Sequence, residues 1–143
     1  MKPLQELYRY AEKENITVDS FNLNSREALS IMDEDGRCHV AIDRSKLSGE
    51  ADERAKLAHE LGHCATGAFY NRFSPCQCRK RMENKADKWA VKQVVPVDEL
   101  DSAVAGGCEN LWELAEHFGI PEPLMKKAVC WYTYGNLAAE LYF

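Results

Sequence analysis

The chain of 143 residues has no hydrophobic run long enough to span a membrane. A spanning helix needs about 18–20 consecutive apolar residues, and charged or polar side chains interrupt every such window. The opening stretch, MKPLQELYRYAEKEN, has neither an apolar h-region nor a small-residue cleavage site. It does not read as a secretory signal, and a cytoplasmic location is expected. Cations are also in short supply: 18 Lys and Arg stand against 23 Asp and Glu, for a formal net charge of −5. That balance argues against nucleic acid or an anionic membrane as partner. None of the six cysteines forms a C-x-x-C pair. The closest spacing, Cys76-Gln-Cys78, lacks the two-residue gap of a zinc knuckle and has no second pair to match it. Reduced thiols are therefore expected rather than disulfides. Repeats and low-complexity linkers are absent too. What remains, 45% hydrophobic and 29% charged residues, is the composition of a globular protein, and the length suits one domain over residues 1–143.

Periodicity predicts an α+β fold. Leu4, Leu7, Tyr8 and Ala11 fall at helical spacing, so residues 3–14 read as an amphipathic helix. Three short β-branched or alternating segments follow, ITVDSFNL, EALSIMD and CHVAID, separated by turn-forming NSR and DEDGR. They predict a small three-stranded antiparallel sheet or meander. From Ser48, a candidate N-cap followed by Glu50, Asp52 and Glu53, the pattern turns helical and fades near Gly67. Residues 68–80 read as a loop centred on Pro75, and 81–95 as a helix stopped by Pro96. Shorter helices are predicted over 97–105, after the Asn110 cap with Glu113 in the capping-box position and Gly119 at the end, and over 122–134 up to Gly135.

The chemistry-bearing stretch is LAHELGHCATG, residues 57–67. On a helix His59 and His63 stack on one face, so both imidazoles can aim at one point. Zinc takes about three protein ligands at roughly 2.0–2.2 Å and keeps a fourth position open where it does chemistry. Glu60 lies about 100° further round the helix. It would flank the metal and take a proton from its water instead of ligating. Two unrelated surface histidines are the plainer reading. Against it, two of the chain's four histidines share this frame, and Leu57, Ala58, Leu61 and Ala65 supply an apolar surround.

A third ligand must come from another element. In MENKADKWA, Glu83 and Asp87 are four apart on the next predicted helix. Their spacing is similar to that of a thermolysin-like site, with a downstream glutamate as ligand and an aspartate four residues on supporting a ligand histidine. Neighbouring Lys85, Lys88 and Lys92 allow the alternative of a solvated, charge-paired face. Cys76, Cys78 and His117 are rival third ligands.

HELGH, then ENKADKWA, then VVP together resemble the ImmA/IrrE family of metallopeptidases. The match covers roughly residues 50–100. The resemblance implies a zincin-like fold and one zinc ion per chain held by His59, His63 and Glu83. It further implies Glu60 as general base, and a protein substrate, the helix-turn-helix repressor of a phage or mobile element. His63 lies 20 residues before Glu83, which leaves space for a short connection carrying the cysteines.

For such a hydrolase, zinc lowers the pKa of its water toward about 7 and polarises the carbonyl, while Glu60 moves the proton to the leaving amine. Tyr70, His117 and Tyr132 are candidate donors to the oxyanion. The CHVAID strand could hold an extended peptide by strand addition, with His39 structural. Two other functions compete. One keeps the zinc without catalysis, as a regulatory protein that binds a repressor. The other is DNA binding through LAEHFGIPEPLMKKAV, which has helix-turn-helix spacing. Residues 97–122 hold seven acids and no Lys or Arg, leaving Lys126 and Lys127 as thin means of neutralising phosphates. The stretch from Arg72 to Lys92, with seven cations against two acids, reads as a solvated face that could steer an acidic substrate.

Overall fold

A computed structural model describes residues 3–141. Helix α1 (Pro3–Lys13) leads into strands β1 (Thr17–Ser20), β2 (Ala28–Met32) and β3 (Cys38–Ile42). Helices α2 (Glu50–Thr66), α3 (Cys76–Val94), α4 (Val97–Ala105), α5 (Leu111–Phe118) and α6 (Glu122–Tyr134) follow. The class is α+β, with the sheet early and helices late, as the periodicity predicts. Among the described residues no helix is long and apolar enough to cross a membrane.

The sheet departs from the expected antiparallel meander. Its order is β1-β3-β2, with β3 antiparallel to β2 but parallel to β1. The β2–β3 hairpin is closed by Asp33, whose carboxylate accepts the backbone N–H groups of Asp35 and Arg37, with Gly36 at φ 80°. Burial explains the central place of β3. Cys38, Val40 and Ile42 alternate inward and are buried, whereas β1 presents Thr17, Asp19 and Ser20 to solvent. The strand with the fully apolar inner face is covered on both sides, and the polar one takes an edge.

Against that inner face lie Leu57, Ala58 and Leu61 of α2, and behind them Ala90, Val91 and Val94 of α3 and Met125 of α6, in one continuous apolar cluster. Arg54 is buried on α2 and donates to the carbonyl of Phe118. It thereby satisfies an orphan acceptor at the C-terminal end of α5.

Three boundaries differ from the sequence reading. The N-cap of α2 is Gly49, at φ 143°, not Ser48. The Ser48 backbone instead donates to Asp52 Oδ2 at 3.1 Å. Helix α3 begins at Cys76, five residues earlier than predicted, because the turn over Asn71–Ser74 is self-contained. Asn71 Oδ1 accepts from Phe73 N and Ser74 Oγ accepts from Asn71 N, after which Pro75 is the N-cap of the helix. The cysteines therefore sit in the first turn of α3, not in a loop. Third, β1 spans only Thr17–Ser20 of the longer ITVDSFNL segment. The caps of α5 (Asn110 accepting from Glu113 N, Gly119 in the left-handed region) and the end of α6 at Gly135 are as expected.

Candidate metal centre

Helices α2 and α3 form the site, and a glycine sets their spacing. A β-carbon on buried Gly62 would lie 2.5 Å from the carbonyl oxygen of Ala86. The backbones approach so closely that the side chains at 59, 63, 83 and 87 meet across the crossing.

His59 Nε2 and His63 Nε2 are 3.2 Å apart. Glu83 Oε2 is 2.6 Å from His63 Nε2 and 3.3 Å from His59 Nε2. Donors about 2.0–2.1 Å from one tetrahedral ion lie roughly 3.3 Å apart. Two of the three separations already match that edge, and the third has to open by roughly 0.7 Å. This is the set of His59, His63 and Glu83 that the sequence proposes, and it can hold a metal ion.

The outward-facing nitrogens are both engaged. His59 Nδ1 meets Asp87 Oδ1 at 2.8 Å, and His63 Nδ1 meets the carbonyl oxygen of Ala68. Both partners are acceptors, so each Nδ1 carries the proton and each Nε2 turns a lone pair inward. Glu83 Oε2 then faces two more acceptors and has no donor of its own, although it is buried. Three acceptors pointed at one place call for a cation. Without one, protons take that position. Burial pulls the His59 pKa down, but the bonds to Asp87 and Glu83 outweigh it and push it up to about 10. The same imidazoles hold the Glu83 carboxyl far below its usual range. Asp87 stays ionised against the cost of its burial through His59 and through Lys127, whose Nζ donates to Oδ2 at 2.9 Å.

Glu60 stands beside this group and not within it, as its place on the helix requires. Its Oε1 accepts from Ser30 Oγ of β2 at 2.7 Å. Glu60 lines a cleft of about 570 Å³ whose walls include Arg26, Ala55, Leu124 and Pro121. The strand that borders Glu60 is thus β2. The expectation that CHVAID could receive a peptide by strand addition is corrected: β3 is paired on both sides and has no free edge.

The rivals fall elsewhere. Cys76, Cys78 and His117 do not join the ligand group among the described residues; Cys76 and Cys78 lie about two and one and a half turns before Glu83 on α3, and exposed His117 packs edge-on against Phe118. Tyr132 donates to Val95 O at 2.7 Å and serves packing. Tyr70 does reach the site. Its ring is 6.4 Å from that of His63, and burial, then the Glu83 carboxylate, raises the pKa of its hydroxyl. His39 is structural, bonded to Thr17 Oγ1 and Asp33 Oδ2. Ser30, Gly62, Ala68 and Lys127 were not predicted at the site. Ser30 is a lone polar residue in an otherwise apolar strand, and Gly62 a helix-disfavouring residue inside HELGH, and those were the available signals.

Neither a protein-family model nor a curated protein sequence matches this chain.

Proposed function

We propose that the chain is a zinc-dependent endopeptidase of the ImmA/IrrE type, acting on an extended segment of a protein such as a helix-turn-helix repressor. The observation that carries the reading is the convergence of two Nε2 atoms and an orphaned carboxylate oxygen, with both Nδ1 atoms tied back and Glu60 alongside. Two imidazoles and one carboxylate suit zinc with an open position for water. Zinc bound there supplies a Lewis acid that makes water acidic near neutral pH.

The chain's own residues do the rest. Glu60 removes the proton of the attacking water and returns it to the leaving amine, one oxygen being steadied by Ser30. We assign the Tyr70 hydroxyl as donor to the developing oxyanion, a role supported by its ring lying 6.4 Å from that of His63. Asp87 and the Ala68 carbonyl hold the two imidazoles in the ligating tautomer. The free edge of β2 offers backbone groups to an extended peptide beside Glu60. Contact with DNA is less well supported, because Lys127 is committed to Asp87.

Glu60→Gln tests the reading. The variant should retain one zinc per chain while cleavage of a repressor encoded beside its gene disappears. Regulation that survives unchanged in the variant would favour a zinc-containing binding protein. Metal analysis of protein purified without chelator distinguishes zinc from iron(II), which accepts the same donor set.

A further inference from the structure

Three cations line the cleft, and two of them are neutralised. Lys56 pairs with Glu27 at 2.7 Å, and Lys127 with Asp87 at 2.9 Å. Arg26 is the third. Its guanidinium makes no hydrogen bond or ion pair with any described residue, yet its backbone is fixed. Lys46 Nζ donates to Arg26 O at 3.2 Å, and Asp43 N donates to Glu27 O at 2.9 Å. A free arginine on a surface loop is ordinary. This one is rooted at the head of the strand that borders Glu60 and is near enough to the site for its charge to act on the Tyr70 hydroxyl.

We infer that Arg26 anchors a carboxylate of the substrate, either an acidic side chain or the peptide's own C-terminus, two to four residues from the bond to be cut. The inference rests on the peptidase reading above and names the substrate class for it. The spacing follows from the strand. Arg26 precedes Ser30 by four residues, two of them ahead of β2, so their backbones lie at most about 13 Å apart at 3.3 Å per residue. Both Arg26 and Glu60 line the one cleft, and a backbone offset within that bound corresponds to a peptide span of about two to four extended residues. A planar fork of N–H donors matches a carboxylate in shape as well as charge. Lys56 and Lys127 cannot substitute without leaving Glu27 or Asp87 unpaired.

The probes are quenched-fluorescence peptide libraries in which each position in turn is fixed as Glu, Gln or Lys. All are C-terminally amidated, and a parallel set with free C-termini and no acidic side chain covers the other source of a carboxylate. Zinc-loaded protein is read for cleavage, and zinc-loaded Glu60→Gln for binding by anisotropy. Expected is a preference of about three- to tenfold for Glu over Gln at one position, or for the free terminus over the amide. Arg26→Gln should erase it, and Arg26→Glu should turn it toward Lys. Arg26 is exposed, so both variants should fold, as circular dichroism and zinc stoichiometry would show. Cleavage with no acidic preference, or with one that Arg26→Glu leaves intact, overturns the anchor and spares the peptidase. Carboxylate-selective binding without cleavage by the unaltered protein overturns the peptidase and spares the anchor. Neither cleavage nor binding overturns both.

Discussion

Gly62 and Ala86 touch backbone to backbone where α2 and α3 cross: a methyl group at position 62 would stand 2.5 Å from the Ala86 carbonyl oxygen. The contact lies between His59 and His63 on one helix and between Glu83 and Asp87 on the other. It is the distance from which the geometry of the centre follows.

Gly62→Ala should therefore be harmful despite a helix propensity gain of about 1 kcal/mol. The helices must separate, and overpacking of this kind costs about 1–3 kcal/mol. A lower melting temperature is expected with a larger proportional loss of zinc affinity, because Glu83 retreats with α3. Thermal denaturation and chelator competition measure the two. Unchanged zinc affinity would show that the spacing does not govern the site.

Asp87→Asn removes the charge that orients His59 and leaves Lys127 without its partner. Loss of such outer support lowers metal affinity about 10- to 100-fold. Lys127→Met should weaken zinc less, since the Asp87–His59 bond survives. Competitive titration against a chromogenic chelator ranks the three proteins, and the reverse order would contradict the arrangement.

Metal-free protein should lose stability in mild alkali. The pKa of His59 rises from 6.5 in the unfolded chain to about 10 in the fold. A raised pKa gives stability that is complete below pH 6.5 and fades as pH climbs through about 10. Urea midpoints in the presence of chelator should fall between about pH 7 and about pH 9.5. At neutral pH the incoming ion must also displace that proton, so zinc binding should release protons. Calorimetry in buffers of differing ionisation enthalpy counts them, and release of none would refute the protonated His59.

Tyr70→Phe should keep zinc and fold while lowering kcat by about 10²-fold, with KM little changed. The residue sits near His63 without ligating. An effect confined to KM would make the hydroxyl a binding group only.

Much of the centre was legible in sequence because helices impose their own periodicity. His59 and His63, and likewise Glu83 and Asp87, stand four apart, and four residues are one turn whatever the surroundings. Glu60, one residue on, had to project beside the group. Residues that meet it from elsewhere in the chain carried no such periodicity. Ser30 is 30 residues from Glu60, and Lys127 is 40 from Asp87. The start of α3 was misplaced because Pro75 and two cysteines resemble a loop until the Asn71 turn is seen to be complete before them.

The strand order shows the other limit. Alternation marks each of the three short strands, but pairing depends on which inner face finds cover. Only packing against Leu57 and Leu61 put β3 at the centre and left β2 as the edge beside Glu60. Local periodicity was enough to place the donors on one face of each helix, because one turn of backbone hydrogen bonds sets those spacings. Tertiary structure decided which helix faces meet, how closely, and which strand borders them, because burial and backbone contact between distant segments have no local code.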